Sequence, residues 1–163
     1  MGGFSCCAFL NTVEAYSPNA NTWTAVAPMS TARHLPGAAT GPVGFDATDI
    51  DRIATTIARY GERFTNRLFT DGEIAYCRRR RVPAIHFAGR FAAKEAAMKA
   101  LGTGHSQGVL WRDVEVVRLG GPPQLQFHGG ALRRFTAIAG KSSLLTITHS
   151  DTLALAHVLI LSQ

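Results

Sequence analysis

Residues 90–104 read RFAAKEAAMKALGTG, and this stretch decides the fold. Alanine, leucine, lysine and glutamate are strong helix formers, so we predict one long helix over residues 87–101. Gly102 follows the last of them as a stop signal. Within this helix Glu95 and Lys99 are four positions apart, and they therefore lie on one face.

The residues upstream of this helix also have the pattern of a folded domain. Residues 43–46 are a short strand-like start that ends at Asp46. A helix is predicted over residues 49–60, with Thr48 or Asp49 as its N-cap. Its apolar residues recur at spacings of three and four, which is typical of a helix face packed on a core. These residues are Ile50, Ile53, Ile57 and Tyr60.

Further elements are predicted along the rest of the chain. A second short helix covers about residues 62–69, and the arginine run at 78–81, which is followed by Val82 and Pro83, favours an exposed loop. Alternating apolar residues predict strands downstream. The predicted strands are 113–119, 124–127, 144–148 and 155–161, with a short helix over 130–139 before the third. Residues 43–163 are thus expected to form one α+β domain.

The first 42 residues differ in composition from this domain. They are rich in Gly, Pro, Ser, Thr and Asn and contain one acid and one base, Glu14 and Arg33. Gly2-Gly3, Tyr16 and Trp23 resemble a single partial kelch repeat, which is one blade of a propeller. Blades are stable only when several pack together, so a propeller is excluded. We expect a tail and linker over residues 1–42, with a functional module as the alternative.

Composition limits the class of protein. The chain has 163 residues with 17 Lys+Arg against 11 Asp+Glu, a net charge of +6, and 46% hydrophobic residues. Its longest apolar run, over residues 153–161, is too short to span a bilayer, and we expect no membrane segment. Three cysteines at positions 6, 7 and 77 form no disulfide framework, and no signal peptide is visible, so a cytoplasmic protein is expected. A net positive charge is typical of proteins that bind nucleic acids, but the sequence contains no nucleic-acid-binding motif, and we expect no nucleic-acid partner.

Asp46, Glu95 and Lys99 are the residues that carry chemistry. Two carboxylates without a thiolate suit a hard cation, and Mg²⁺ typically takes one or two carboxylates plus phosphates and water. Lys99, one turn after Glu95, could then meet a phosphate oxygen. The alternative is a solvated Glu–Lys pair and an aspartate that only caps a helix. Four histidines lie in no chemical motif and are predicted to be structural: His86, His105, His128 and His157.

Three motifs together resemble a known family. They are GFDATDIDRI at residues 44–53, RFAAKEAAMKALGTG at 90–104, and LTITH at 145–149. The chain is similar over about residues 43–162 to the holo-[acyl-carrier-protein] synthases, the small 4′-phosphopantetheinyl transferases. The resemblance implies their fold, in which an antiparallel sheet packs against a long helix and shorter helices. It also implies a homotrimer with active sites between neighbouring subunits.

The resemblance further implies the reaction and the residues that perform it. The expected reaction is Mg²⁺-dependent transfer of 4′-phosphopantetheine from coenzyme A to a serine of an acyl carrier protein, which releases adenosine 3′,5′-bisphosphate. Asp46 and Glu95 are expected to hold the metal, and Glu95, Lys99 and His149 to be catalytic. The base that takes the serine proton is Glu95 or a water on the metal. The residues expected to bind coenzyme A are Arg90, Lys99, Gly102, Thr103, Gly104 and His149.

A protein partner is predicted from the helix over residues 49–60. At about 100° per residue, Arg52 and Arg59 differ by only about 20° and form one basic stripe, which Arg63 continues. Acyl carrier proteins are strongly acidic, so this stripe is expected to be their docking surface. Two other functions stay open: an inactive relative that only binds carrier proteins, and a kelch-type interaction protein.

Overall fold

The computed structural model describes residues 13–17, 22–26 and 41–162. The chain divides into two units, residues 1–40 and 41–163. In the first unit, strands β1 (Val13–Ser17) and β2 (Thr22–Val26) pair antiparallel. The turn between them, Gly2-Gly3 and the proposed linker lie outside the described residues.

The second unit is organised around helix α4 (Pro83–Leu101). The predicted helix began at residue 87, but the observed one starts a turn earlier because proline is well suited to the first helical position. Gly102 has a φ of 71°, and its N–H bonds to the carbonyls of Lys99 and Met98, which ends the helix as predicted. Six alanines of α4 are buried and make its surface flat: Ala88, Ala92, Ala93, Ala96, Ala97 and Ala100.

A three-stranded antiparallel sheet packs on this flat surface. Its strands are β3 (Val43–Asp49), β6 (Ser142–His149) and β7 (Leu153–Leu161), in the order β3-β7-β6. At Gly44, a Cβ atom would stand 1.8 Å from the carbonyl oxygen of Ala96, so only glycine lets β3 approach the helix this closely. The predicted antiparallel sheet on a long helix is confirmed.

Three short helices connect β3 to α4. They are α1 (Ile50–Tyr60), α2 (Glu62–Leu68) and α3 (Asp71–Arg78). Of the two N-cap candidates, Asp49 is the one whose carboxylate accepts the Arg52 N–H, at 2.7 Å. Helix α3 was not predicted. It begins with a capping box in which Thr70 and Glu73 bond each other's backbone, and the Thr-x-x-Glu spacing was the available signal.

The remaining elements form a smaller hairpin beside α4. A 3₁₀ turn at Trp111–Asp113 precedes β4 (Val114–Val117), which pairs antiparallel with β5 (Gln124–Phe127). The strand predicted over 113–119 is therefore shorter at both ends. Helix α5 (Gly129–Ala137) follows, close to its predicted bounds. Within the described residues, no helix is long and apolar enough to cross a bilayer.

A buried ion pair joins α3, α4 and β4. Lys94 Nζ lies 2.8 Å from Glu73 Oε2, and both side chains are fully buried. The ammonium also donates to the carbonyls of Trp111 and Val114, while Glu73 Oε1 accepts the Val116 N–H at 3.0 Å. Because all three N–H groups of the ammonium and both oxygens of the carboxylate have partners, the charged pair is tolerated in the core.

Candidate active site

Asp46 faces helix α4 from the inner side of strand β3. The strand alternates, so that Gly44, Asp46 and Thr48 point toward the helix while their neighbours are exposed. Asp46 Oδ1 accepts the Lys99 ammonium at 2.8 Å, and Oδ2 accepts the Thr48 hydroxyl at 2.8 Å. The Asp46 side chain is 15% exposed and that of Lys99 is 49% exposed. The carboxylate is thus fixed at the rim of a solvent-accessible site.

Glu95 is the second carboxylate at this site, one helical turn before Lys99. Burial raises its pKa, and the charge of Asp46 raises it further, whereas Lys99 and His105 act in the opposite direction. The two carboxylates repel each other at a half-buried position, and a bound cation would offset this repulsion. This is the arrangement that the sequence predicts for the two metal ligands.

The donor set fits Mg²⁺. No group of three or more His, Cys, Asp or Glu side chains that could hold a metal occurs among the residues that the structure describes. Two carboxylates alone are a poor site for zinc or a transition metal but suit Mg²⁺, which keeps several waters and shares phosphate oxygens of a substrate. Asp46 and Glu95 would hold the ion, and Lys99 lies beside them.

Two other predicted residues lie elsewhere. Arg90 precedes Lys99 by nine positions, which is about 180° around the helix, so the two side chains leave α4 on opposite sides. Arg90 is buried, and its Cζ lies 3.8 Å from the centroid of the Tyr76 ring. His149 is exposed at the end of β6. Burial lowers the pKa of His86, and the nearby charges of Arg90 and His149 lower it further. Within one chain the predicted site residues therefore form two groups, and Arg90 does not join Asp46, Glu95 and Lys99.

The loop after α4 carries the predicted Gly102-Thr103-Gly104 turn. Gly104 has a φ of 56°, a left-handed value like that of Gly102. Thr103 is buried, and its hydroxyl donates to the carbonyl of Gly104 at 2.9 Å. The binding of coenzyme A by these three residues stays a prediction.

His105 is a neighbour of the site that sequence reasoning missed. Its ring stacks on Trp111 at 5.9 Å, and Trp111 stacks on Phe91 at 5.1 Å. Phe91 is one turn before Glu95 on α4, so the stack brings the imidazole close enough to act on Glu95. No motif could have found it, because the contact depends on the loop folding back over the helix.

The predicted docking residues are exposed on α1 and α2. The guanidinium carbon of Arg59 lies 5.1 Å from the centroid of the Tyr60 ring, and Arg52 and Arg63 are also exposed. A cleft of about 300 Å³ lies at the junction of these helices. It is lined by Tyr60, Arg63, Phe64 and Arg67. Arg67, which sequence analysis did not select, extends the basic surface.

Comparison with known proteins identifies the second unit. The family model of the 4′-phosphopantetheinyl transferase superfamily matches residues 42–154, and a kelch-motif model matches residues 1–30. A holo-[acyl-carrier-protein] synthase from Methylobacterium radiotolerans is 49% identical over 124 residues, covering 74% of this chain and 91% of the relative. One from Solibacter usitatus is 47% identical over 118 residues, covering 72% of this chain and 94% of the relative.

A solved structure agrees with these relatives. The holo-(acyl-carrier-protein) synthase of Bacillus anthracis in complex with CoA (3′,5′-ADP) superimposes with a TM-score of 0.62 at 30% identity, covering 75% of this chain and 96% of that one. The resemblance and the α+β fold predicted from the sequence are confirmed. The chain belongs to the holo-[acyl-carrier-protein] synthase family of the 4′-phosphopantetheinyl transferase superfamily.

Proposed function

We propose that this chain transfers the 4′-phosphopantetheine group of coenzyme A to a serine hydroxyl of an apo-acyl carrier protein and releases adenosine 3′,5′-bisphosphate. The observation that carries the proposal is the meeting of Asp46, Glu95 and Lys99, which come from β3 and α4. A binding module without activity would not need two mutually repelling carboxylates beside a lysine.

Asp46 and Glu95 are the proposed ligands of Mg²⁺. When bound, the ion would neutralise the negative charge that develops on the diphosphate as the serine oxygen attacks phosphorus. Lys99 supplies a fixed positive charge at the same place. Because its ammonium already bonds Asp46 and the Phe45 carbonyl, at 2.8 and 3.0 Å, it needs little reorganisation to receive a phosphate oxygen.

The serine proton also needs an acceptor. Glu95 and a water on the metal are the two groups proposed for that role; in the metal-free chain, burial and the Asp46 charge raise the pKa of Glu95. His105, held by Trp111, keeps that pKa from rising further. Glu95 thus has two proposed tasks, as metal ligand and as proton acceptor.

A homotrimer is part of the proposal, for two reasons. Arg90 and His149 lie away from Asp46 within one chain, so a neighbouring copy would have to bring them to the phosphates. In addition, the outer face of the β3-β7-β6 sheet is apolar and exposed. Its residues include Val43, Phe45, Leu144 and Leu153. We assign this outer face to the contact between copies.

The basic surface of α1 and α2 is the proposed docking site for an acidic carrier protein. Arg52, Arg59 and Arg63 are exposed there, and Arg67 adds a fourth cation. The cleft beside them offers Tyr60 and Phe64 to apolar side chains of the partner. Charge attraction would orient the carrier protein, and the aromatic rings would hold it.

Two further assignments complete the proposal. Residues 1–42 are an accessory tail, and the transferase domain is formed by residues 43–163. The enzyme works in the cytoplasm, where a buried thiol such as Cys77 stays reduced.

The test is incubation of the full chain with coenzyme A, Mg²⁺ and a panel of apo-carrier proteins from fatty-acid and polyketide synthesis. Mass spectrometry should find at least one carrier protein heavier by a phosphopantetheine group. The variant Glu95→Gln, which keeps the size of the side chain, should give no product. If no carrier protein gains mass in the presence of the wild-type chain, the proposed activity is wrong.

A further inference from the structure

Thr48 lies on the inner side of β3, two residues after Asp46. Residues i and i+2 of a strand share one face, and the Thr48 hydroxyl donates to Asp46 Oδ2 at 2.8 Å. The sequence offered Thr48 as a candidate N-cap of α1, but the carboxylate of Asp49 fills that position. The hydroxyl of Thr48 therefore does not cap the helix and is committed to Asp46.

The surroundings of Thr48 give its hydroxyl no other task. The residue is only 7% exposed, and its partner across the sheet is the buried Ala154 of β7. Within the part of the chain that the structure describes, Asp46 is the only hydrogen-bond partner of this hydroxyl. A buried hydroxyl costs free energy, and valine would fill the same space and is equally favoured in strands. Folding alone therefore gives no reason for a threonine at this position.

Asp46 is held by two donors that come from different elements. Lys99 reaches Oδ1 from α4 at 2.8 Å, while Thr48 reaches Oδ2 from within β3. Each carboxylate oxygen has a second acceptor position, so both oxygens can still bind a cation. With both donors in place, the carboxylate cannot turn about its Cβ–Cγ bond without breaking a hydrogen bond.

Lys99 is a competitor of a metal ion for the same carboxylate. Its side chain is 49% exposed, and its ammonium sits on a flexible four-carbon stem. The ammonium has three N–H donors, of which Asp46 Oδ1 and the Phe45 carbonyl occupy two. If the Thr48 hydroxyl were absent, the carboxylate could turn and offer both of its oxygens to this cation.

We propose that Thr48 is a positioning residue for Asp46, which keeps one carboxylate oxygen out of the ion pair with Lys99 and open to a divalent cation. The inference rests on the proposed function through one assignment, that of Asp46 as a metal ligand. Groups that hydrogen-bond a ligating carboxylate fix its orientation, and their loss commonly weakens metal binding by about 10–100-fold. Thr48 acts through Asp46 and is not itself a catalytic residue.

The test is a titration of the full chain with Mn²⁺, without coenzyme A or carrier protein. Mn²⁺ takes the same oxygen ligands as Mg²⁺, and the free ion is counted by electron paramagnetic resonance. Thr48→Val, which removes the hydroxyl but keeps the branched shape, should raise the Kd for Mn²⁺ by about 10-fold or more. Thr48→Ser retains the hydroxyl and should restore most of the affinity.

Thr65→Val is the matched control. Thr65 is 2% exposed on α2, and its hydroxyl meets the carbonyl of Glu62 at 3.5 Å, so the same change is made at a buried threonine that does not contact Asp46. It should leave the Kd for Mn²⁺ unchanged. Urea unfolding in EDTA separates positioning from support of the fold, because Thr48→Val should keep the wild-type midpoint. A lower midpoint with an unchanged Kd would mean that Thr48 only supports the fold.

Lys99→Met tests the competition directly. With the ammonium removed, Asp46 has no competing cation on this chain, so Thr48→Val should weaken Mn²⁺ binding much less in the Lys99→Met background than in the wild type. An equal loss in both backgrounds would show that Thr48 does not act against Lys99, and the inference would be wrong.

The outcomes separate this inference from the proposed reaction. Equal Mn²⁺ affinity of the wild type and Thr48→Val overturns the role of Thr48, and so does a wild-type chain that does not bind Mn²⁺. Transfer is judged separately, by the mass gain of a carrier protein. A chain that ranks the variants as expected for Mn²⁺ but modifies no carrier protein would contradict the proposed reaction and leave the role of Thr48 standing.

Discussion

The ammonium of Lys99 and the carboxylate of Asp46 are 2.8 Å apart and tie helix α4 to strand β3. The same ammonium also bonds the carbonyl of Phe45 at 3.0 Å, so both the side chain and the backbone of the strand are held. Glu95, one turn away, completes the site. The geometry proposed for the metal and phosphates is therefore set by the fold before any ligand binds.

The two aspartates near α1 should respond differently to substitution. Asp46→Asn should abolish phosphopantetheine transfer, because it removes a proposed metal ligand. Asp49→Ala should retain transfer and lose about 0.5–2 kcal/mol of stability, since Asp49 caps α1 through the Arg52 N–H. Activity assays and thermal unfolding of both variants check this. An inactive, well-folded Asp49→Ala beside an active Asp46→Asn would show that the roles are reversed.

Glu95→Gln should stabilise the protein in EDTA while abolishing transfer. The pKa of Glu95 is raised above its ordinary value of 4.5 by burial and by Asp46, so its ionised form destabilises the folded state. The gain in Tm should be full at neutral pH, should fall as pH drops through the raised pKa, and should vanish below about 4.5. Excess Mg²⁺ should shrink the gain, because the ion stabilises only the wild type. An unchanged Tm in EDTA at neutral pH would contradict the proposed repulsion.

Arg59→Glu should raise the KM for an acidic carrier protein far more than the KM for coenzyme A. Arg59 is exposed on the docking surface of α1, and nothing brings it near Lys99 or Glu95. The effect should weaken as salt rises, because exposed charges are screened within about 8–10 Å at physiological ionic strength. Arg133→Glu, an exposed charge reversal on α5, is the control for total charge. Equal damage from both variants would rule out a specific docking surface.

Lys94→Met should destabilise the domain strongly. It leaves the carboxylate of Glu73 buried without its cation, and breaking such a pair by one partner costs about 3–5 kcal/mol. Adding Glu73→Gln to Lys94→Met should recover part of the loss, because the buried charge is then gone. Urea unfolding of the single and double variants measures the coupling. Additive losses would mean that the two side chains do not depend on each other.

Leu144→Lys should dissociate the proposed trimer. Leu144 is 57% exposed on the apolar outer face of the β3-β7-β6 sheet, where a charge would oppose contact between copies. Transfer should be lost with the trimer, because Arg90 and His149 would no longer reach a neighbouring Asp46. Leu119→Lys, at a leucine that is 84% exposed away from that sheet, is the control. Sedimentation that finds the wild type monomeric would refute the assembly.

The long helix and the strands could be predicted because they depend on local spacing. The grouping of Asp46 with Glu95 and Lys99 was predicted from the resemblance, since spacing alone left a solvated Glu–Lys pair open. Sequence reasoning missed α3, whose only signal was the Thr70–Glu73 capping box in a short polar stretch. It could not find the packing of Arg90 on Tyr76 or the stacking of His105 on Trp111. Those contacts depend on how the loops and helices pack in three dimensions, and no sequence periodicity indicates them.

Gly44 has a consequence for how this active site can evolve. Since any larger side chain would collide with the carbonyl of Ala96, the distance between β3 and α4 is fixed by the absence of a methyl group. Asp46 is carried on that strand and Glu95 on that helix. The separation of the two carboxylates is thus set by the backbone contact between β3 and α4. The loops around the site can therefore change to accept new carrier proteins while the geometry of the proposed metal ligands stays constant.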